Sequence, residues 1–286
     1  MCPPVAHASH ESVNMPFSIS VILSTYNSPE WLEKVLWGYQ EQNYKNFQIV
    51  IADDGSSYET RNVIDGFRKS SGLNIEHVWQ EDQGSQTSMI LNKATVDAGG
   101  DYLIFSDGDC VPRNDFVHVH QQQAMAGYFL AGGHSKLPPC CSENVVKDAI
   151  LSGDAFDIFW LTQNGYPDVA KKLRLTAKGN WAKLLNLMMP ARNDWNAHNS
   201  SGWKNDLMIV NGFDERMHFG GEDREMGDRL KHSGIKVKGV RYTAVCIHLA
   251  VGPESDTVES RSMNKSVQDA TTRDQSRYTR YGIIKS

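Results

Sequence analysis

Two carboxylates separated by a single glycine close the apolar run Asp101-Tyr-Leu-Ile-Phe-Ser-Asp107-Gly108-Asp109-Cys110-Val111. A strand that ends this way sets its acids just outside the carboxyl edge of an open α/β sheet, where such sheets bind ligands. Neighbouring acids repel unless something positive lies between them. The pair therefore implies a divalent cation and the phosphate oxygens that a cation would bridge. A calcium loop is excluded, because the further acids at alternating positions and the glycine at the sixth are missing. A solvated turn would explain the acids but not the apolar strand that delivers them.

Three other groups carry chemistry. Glu222 and Asp223 follow Gly220-Gly221 at the start of a helical pattern. Acids in a first helical turn stabilise the macrodipole, so capping alone accounts for them. The glycines, however, allow a ligand to approach the backbone, and a carboxylate there would deprotonate a hydroxyl held over the sheet edge. The catalytic reading is adopted. His248 ends the apolar run Val245-Cys246-Ile247, and a structural histidine and a metal ligand are equally good readings of it. Asp53-Asp54-Gly55-Ser56 has ordinary turn composition, yet its place after an apolar strand makes it a nucleoside contact, since carboxylates accept from base N–H and ribose hydroxyls.

The elements that must position these groups alternate. Ser18 to Ser24 and Phe47 to Ala52 read as buried strands, and Ile75 to Trp79 and Asp101 to Ser106 as two more. Helices lie between them: one from Pro29 with Trp31, Leu32, Val35, Leu36 and Tyr39 at helical spacing, one carrying Val63, Ile64 and Phe67, and one from Ser88 to Ala98. The expected fold is α/β, a mostly parallel sheet flanked by helices, with polar loops gathered on one edge. From His134 to about Asn205 the rhythm breaks. This stretch, with Trp160, Trp181, Trp195 and Trp203, reads as a helical insertion beside the sheet. A planar indole stacks on sugar faces as well as filling cores, so one of these rings is a candidate for an acceptor site. Leu207 to Val210 reads as a short strand, a helix runs from the Glu222 region through Leu230, and Val245 to His248 is a late strand.

Four segments follow: a flexible leader over 1–15, a ligand-binding half over 16–133, an acceptor-side half over 134–250 and a polar surface tail over 251–286. With 286 residues the chain buries a full core, and its net charge of −5 argues against nucleic-acid binding by bulk electrostatics. No apolar run suits a signal peptide or a membrane-spanning helix. Five cysteines without zinc-site spacing fit a reducing, cytoplasmic setting, with Cys140 and Cys141 read as loop thiols.

Taken in order, Ser20-Val-Ile-Leu-Ser-Thr-Tyr-Asn27, Ile49-Val-Ile-Ala-Asp-Asp-Gly-Ser56, Asn92-Lys-Ala94, Gly100 through Asp109, and Val210-Asn-Gly-Phe-Asp-Glu215 through Gly221-Glu-Asp223 resemble the family 2 glycosyltransferases. The resemblance, over roughly residues 17 to 250, is to the branch with a galactosyltransferase-like, chondroitin-polymerase-type C-terminal segment. It implies a GT-A fold and inverting transfer from a nucleotide-diphosphate sugar, usually UDP-linked, to a glycan or glycoconjugate hydroxyl, with Mn2+ or Mg2+. By position, Thr25, Tyr26, Asn27 and Asp54 would cradle the nucleoside with Asp53 beside them, and Asp82 would lie near base and ribose. Asp107 would meet ribose or metal, while Asp109 and His248 would hold the metal. Asp223 would be the base and Glu222 an acceptor contact. Asn199 and Trp203 match an Asn-x-x-x-Trp stretch. Relatives of this kind often act at the inner face of a membrane, so peripheral association is compatible with the resemblance. One departure stands out: where the branch carries Phe-Arg-Lys after Glu-Asp-x-Gly, this chain has Ser85-Gln86-Thr87, which removes positive charge near the diphosphate.

Competing readings are weaker. A phosphatase of the haloacid-dehalogenase type would place an Asp107-Gly-Asp109-like motif after its first strand, but three strand-helix units precede it here. A nucleotidyltransferase would want a glycine-rich, basic first loop, and Ser24 to Pro29 is neither. A non-catalytic sugar-binding protein of the same fold fits the lost basic residues.

Overall fold

The computed structural model describes residues 16–166, 174–188, 194–218, 220–249 and 258–285, with side chains from 262 onward in the last segment. The leader expected over 1–15, Phe219 and parts of the insertion lie outside the described residues.

Strand and helix alternate as the hydrophobic pattern requires: β1 (Ile19–Thr25), α1 (Pro29–Gln40), β2 (Gln48–Asp53), α2 (Tyr58–Ser70), β3 (Asn74–Trp79), α3 (Thr87–Asp97) and β4 (Tyr102–Asp107). These four strands pair in parallel in the order β3-β2-β1-β4. The inner three are covered on both faces and so are mostly apolar, while edge strand β3 alternates buried Ile75 and Val78 with exposed Asn74, Glu76 and Trp79. Val21, Leu23, Ile49, Ile51 and Ile104 pack into one core, and Ile22, Val50, Ala52, Leu103 and Phe105 into the other. Strand order reverses between β1 and β4. The crevice outside their carboxyl ends is the topological switch point, the usual ligand site of such sheets.

After β5 (Cys110–Pro112) and α4 (Phe116–Gln123) come β6 (Tyr128–Ala131) and β7 (Gly133–Lys136). The insertion then holds the short helices α5 (Pro139–Asn144), α6 (Lys147–Ser152) and α7 (Ile158–Gln163), and the longer α8 (Gly179–Met188). Cys140 and Cys141 sit on α5 rather than in a loop, and Cys141 is buried. The chain continues through β8 (Ser200–Trp203), α9 (Lys204–Ile209), α10 (Glu222–His232), β9 (Lys236–Gly239), β10 (Val245–His248) and α11 (Val258–Arg273).

Three expectations need correction. The insertion is mostly helical, but its end supplies β8, which enters the main sheet antiparallel between β4 and β6. Ser-Ser-Gly-Trp has none of the β-branched residues that signal a strand. It fits because Gly202 leaves room for the Trp195 ring. The Leu207–Val210 run is no strand: Leu207 faces the core from helix α9 and Val210 caps its end, while Ile209 is exposed. The polar C-terminus is not a loose surface tail either. Helix α11 packs against α10, and the last residues return to bind the Asn211 turn.

A second sheet, β5-β10-β7, pairs β10 antiparallel with β5 and parallel with β7, setting His248 opposite Cys110 and Lys136. This small sheet brings the late histidine to the acids at the end of β4.

Candidate active site

The crevice between β1 and β4 holds the acid pair. Ser24 is the register partner of Asp107, and its hydroxyl donates to Asp107 Oδ1 at 2.7 Å. The Gly108 amide donates to the Ser24 carbonyl at 2.7 Å, and a Cβ on Gly108 would lie 2.9 Å from that same oxygen. The residue between the acids must therefore be glycine. Asp107 Oδ2 pairs with His198 Nδ1. Burial would raise the Asp107 carboxyl, but the His198 charge outweighs it and holds the group low; in return, against burial, Asp107 pushes His198 up to about 9. Asp109 Oδ2 lies 3.2 Å from His248 Nε2.

Two buried atoms here lack a protein partner, Asp109 Oδ1 and His248 Nδ1. Unsatisfied buried polar atoms of this kind call for a ligand. The donors of Asp107, Asp109 and Cys110 converge, as do those of Cys110, His198 and His248. This mixed oxygen, nitrogen and sulfur set fits a divalent transition ion, and Asp109 and His248, each with an unpartnered atom, are the donors that would hold it.

The nucleoside candidates line the neighbouring loops. Asn27 takes φ 45°, a left-handed conformation asparagine tolerates; its amide donates to Ser56 Oγ at 2.8 Å and its Oδ1 accepts from the Ser57 amide at 2.9 Å. Tyr26 is half exposed and donates its hydroxyl to Asp82 Oδ2 at 2.8 Å, while Asp82 Oδ1 accepts from the Gly84 amide. Gly55 lets these loops touch, since a Cβ there would sit 2.6 Å from the Asp82 backbone. Thr25 is buried with its hydroxyl unpartnered. Asp53 is buried, its oxygens engaged by the Ser56 amide and by His77 Nε2 at 2.8 Å each, so its carboxylate shapes the turn from within. Asp54 accepts from Gln80 Nε2 and the Gln86 amide, and burial raises its carboxyl. Within the Ser85-Gln86-Thr87 departure it is thus the backbone amide of Gln86, not its side chain, that meets Asp54.

Glu222 and Asp223 open α10 after Gly221, whose φ is 93°. Asp223 Oδ2 accepts from the Ala197 amide at 2.8 Å, and its Oδ1 is buried without a partner, as is Glu222 Oε2. Burial, with Asp107 adding repulsion, pushes Asp223 up to about 6. Burial and then the charge of Asp223 push Glu222 up to about 8. Acids that served only to cap the helix would be solvated and unperturbed.

The turn before this helix is held from both sides. Asn92 donates to the Phe213 carbonyl at 2.9 Å and accepts from its amide at 2.7 Å. Asn211 donates to the Thr279 and Ile284 carbonyls and accepts from the Ile284 amide. Thr279 and Arg216 bind Asp214, and Thr271 joins the buried Glu225–Arg229 pair.

The sequence reading missed His198 and His134. Their rings and that of His248 form a three-imidazole cluster with centroids 4.3–5.2 Å apart. His134 is driven down to about 3 by burial and by the two other histidines, so it is a neutral imidazole. The only advance signal for His198 was its place directly before Asn199. Asn199 is fully buried and ties β7 to the approach to β10 by donating to the Gly133 and Ala244 carbonyls at 3.0 Å each. Among the tryptophans, Trp195 is core, Trp203 packs on Phe17 and Tyr102, and Trp181 is exposed on α8. A groove of about 790 Å³, lined by Pro112, Arg113, Asp115, Ile150, Phe156 and Leu175, contains none of the candidate residues.

Two family models match along this architecture. The glycosyl transferase family 2 model covers residues 20–135, which end with β7, and the model described as the N-terminal domain of galactosyltransferase covers 198–250, from His198 past His248. Residues 20–135 thus match glycosyl transferase family 2 and residues 198–250 the galactosyltransferase-type segment, the pairing of the branch that the sequence resembles. It is 28% identical over 237 residues to a validoxylamine A glucosyltransferase of Streptomyces hygroscopicus, covering 76% of this chain and 52% of that protein. It is also 28% identical over 269 residues to the chondroitin synthase of Pasteurella multocida, covering 89% of this chain and 27% of that one. The chain spans about half the length of the first of these relatives, or less. Its fold is that of GT-A glycosyltransferases. A Pyrobaculum calidifontis mannosyltransferase in complex with GDP-Man and Mn2+ aligns at a TM-score of 0.59 and 14% identity, covering 93% of this chain and 68% of that one. Staphylococcus aureus TarS in complex with UDP-GlcNAc aligns at 0.54 and 16%, covering 87% and 66%.

Proposed function

We propose that this chain transfers a sugar, with inversion, from a nucleotide-diphosphate donor to a hydroxyl of a glycan or glycoconjugate, and that the donor is UDP-linked. The observation that carries this reading is the convergence of Asp107, Asp109, His248 and Asp223 on the switch-point crevice. The metal-and-phosphate half and the acid–base half of a transfer reaction thus share one site. Relatives named for glucosyl transfer and chondroitin synthesis, and fold neighbours holding GDP-Man and UDP-GlcNAc, support the donor class.

Thr25, Tyr26, Asn27 and Asp54 cradle the nucleoside, with Asp82 fixing the Tyr26 ring and Asp107 oriented by Ser24 and His198 toward the ribose side. Asp109 and His248 would hold Mn2+ or Mg2+, which when bound neutralises the charge that grows on the departing diphosphate. Asp223 takes the proton of the attacking hydroxyl from the face opposite the leaving group, the geometry that inversion demands. Its raised affinity for protons, about 6, suits a base that must be ionised near neutral pH. Glu222, pushed to about 8, keeps its proton there and can donate a hydrogen bond to the acceptor. The reducing, cytoplasmic setting expected from the cysteine pattern belongs to the same reading. Among the described residues, no helix is long and apolar enough to cross a membrane.

The test is release of nucleotide diphosphate from a panel of donor sugars with and without Mn2+. A second reading, a sugar-binding protein without turnover, is favoured only by the missing cations at Ser85-Gln86-Thr87. Metal-dependent donor binding with no release under any acceptor would select it.

A further inference from the structure

We propose that the outer face of α8, with the lysines beside it, is a docking surface for an anionic lipid bilayer. The inner face of this helix is firmly attached. Ala182 and Leu185 are buried with Ala177 and Tyr242, and Asn186 donates to Thr243 Oγ1 at 3.0 Å and accepts from the Tyr242 amide at 2.8 Å. Those contacts fix the helix's rotation, so the opposite face cannot turn inward. That face is apolar: Trp181 is 53% exposed, Leu184 41%, Leu187 80% and Met188 67%. At helical pitch the four side chains fall within an arc of about 120°. A contiguous exposed patch of this kind marks an interaction site rather than scattered surface leucines.

Charge identifies the partner. Residues 169–193 carry no acid, in a chain whose net charge is −5, and six basic residues, of which Arg174 turns inward to donate to the His134 carbonyl and the others are Lys171, Lys172, Lys178, Lys183 and Arg192. Among the described residues, Lys178 and Lys183 are exposed, and Lys183 lies close enough to Lys238 of the edge strand β9 to help burial lower that amine's proton affinity. A tryptophan and aliphatic residues on one helix face, bordered by lysines, match the boundary between acyl chains and anionic headgroups. A second copy of this chain is a poor occupant, because a two-fold contact would set one basic face against another. The inference does not rest on the proposed reaction.

The test is co-sedimentation of the full chain with vesicles of phosphatidylcholine alone or mixed with phosphatidylglycerol, for wild type, Leu187→Ser and Lys178→Glu/Lys183→Glu. Both variants alter exposed positions, and unchanged melting confirms their folding. Wild type is expected to bind the mixed vesicles, to be released by salt, and to bind neutral vesicles weakly. Each variant is expected to lose at least about tenfold in partitioning. Failure of wild type to bind anionic vesicles, or binding indifferent to both changes, would overturn the proposal. So would concentration-dependent self-association without vesicles that Leu187→Ser abolishes.

Discussion

Asp109 Oδ2 and His248 Nε2 meet at 3.2 Å because β5 and β10 pair antiparallel directly beside the acid turn, and each residue keeps one buried polar atom without a protein partner. A pair arranged only for structure would satisfy those atoms. Asp109→Asn and His248→Ala should each weaken Mn2+ binding by about tenfold to a hundredfold or more, read by calorimetry or water-proton relaxation. Affinity unchanged in both variants would contradict the assignment.

With Asp223 as the proposed base, its titration is expected to set the acid limb of the reaction. Its carboxyl is raised to about 6, so the base form is lost as pH falls through that value. The kcat/KM for transfer should drop about tenfold per unit below it. A profile flat down to the ordinary carboxylate range would show that another group takes the proton.

Glu222 makes the opposite demand on stability. Its proton affinity rises from an ordinary 4.5 to about 8 on folding, so the folded chain binds the proton across that window and the unfolded chain does not. The contribution of Glu222 to stability therefore falls as pH rises from 4.5 to about 8. Glu222→Gln removes that titration, and in metal-free protein its melting advantage should grow across the window and level off above it. Each kcal/mol of relief corresponds to about 2–4 °C in a domain of this size. A pH-independent difference would place the Glu222 proton elsewhere.

The C-terminal return is structural for the site. Gly282 packs so closely on Asn211 that a Cβ would overlap the Asn211 carbonyl oxygen. Gly282→Ala should cost about 1–3 kcal/mol and slow transfer, since the Asn211 turn leads into α10. Gly66→Ala, in open space on α2, is the control and should melt no lower than wild type. Equal melting of the two variants would show that the return is dispensable.

The parallel half of the sheet was legible because its inner strands are mostly apolar on both faces and β2 and β4 end in acids, leaving little choice of element or edge. The acid turn was legible for the same reason, and Gly108 proved necessary between its carboxylates. Strand β8 was not, because a slot between two strands beside Trp195 selects small residues over β-formers. Leu207 to Val210 misled because a two-turn helix gives the same apolar run as a strand. The tail misled because it is held by hydrogen bonds rather than by an apolar stripe: Asn211 donates to the Thr279 carbonyl, and Thr279 and Thr271 donate to Asp214 and Glu225. His198 was invisible for a similar reason: its partner Asp107 is distant in sequence, and only the insertion of β8 brings the two together.

The most direct measurement compares wild type with Asp223→Asn for nucleotide release from donor sugars in Mn2+, alongside calorimetric binding of the nucleotide. The account predicts that the variant binds the nucleotide as wild type does and releases at least about a hundredfold less product. Equal turnover by the two proteins would contradict it.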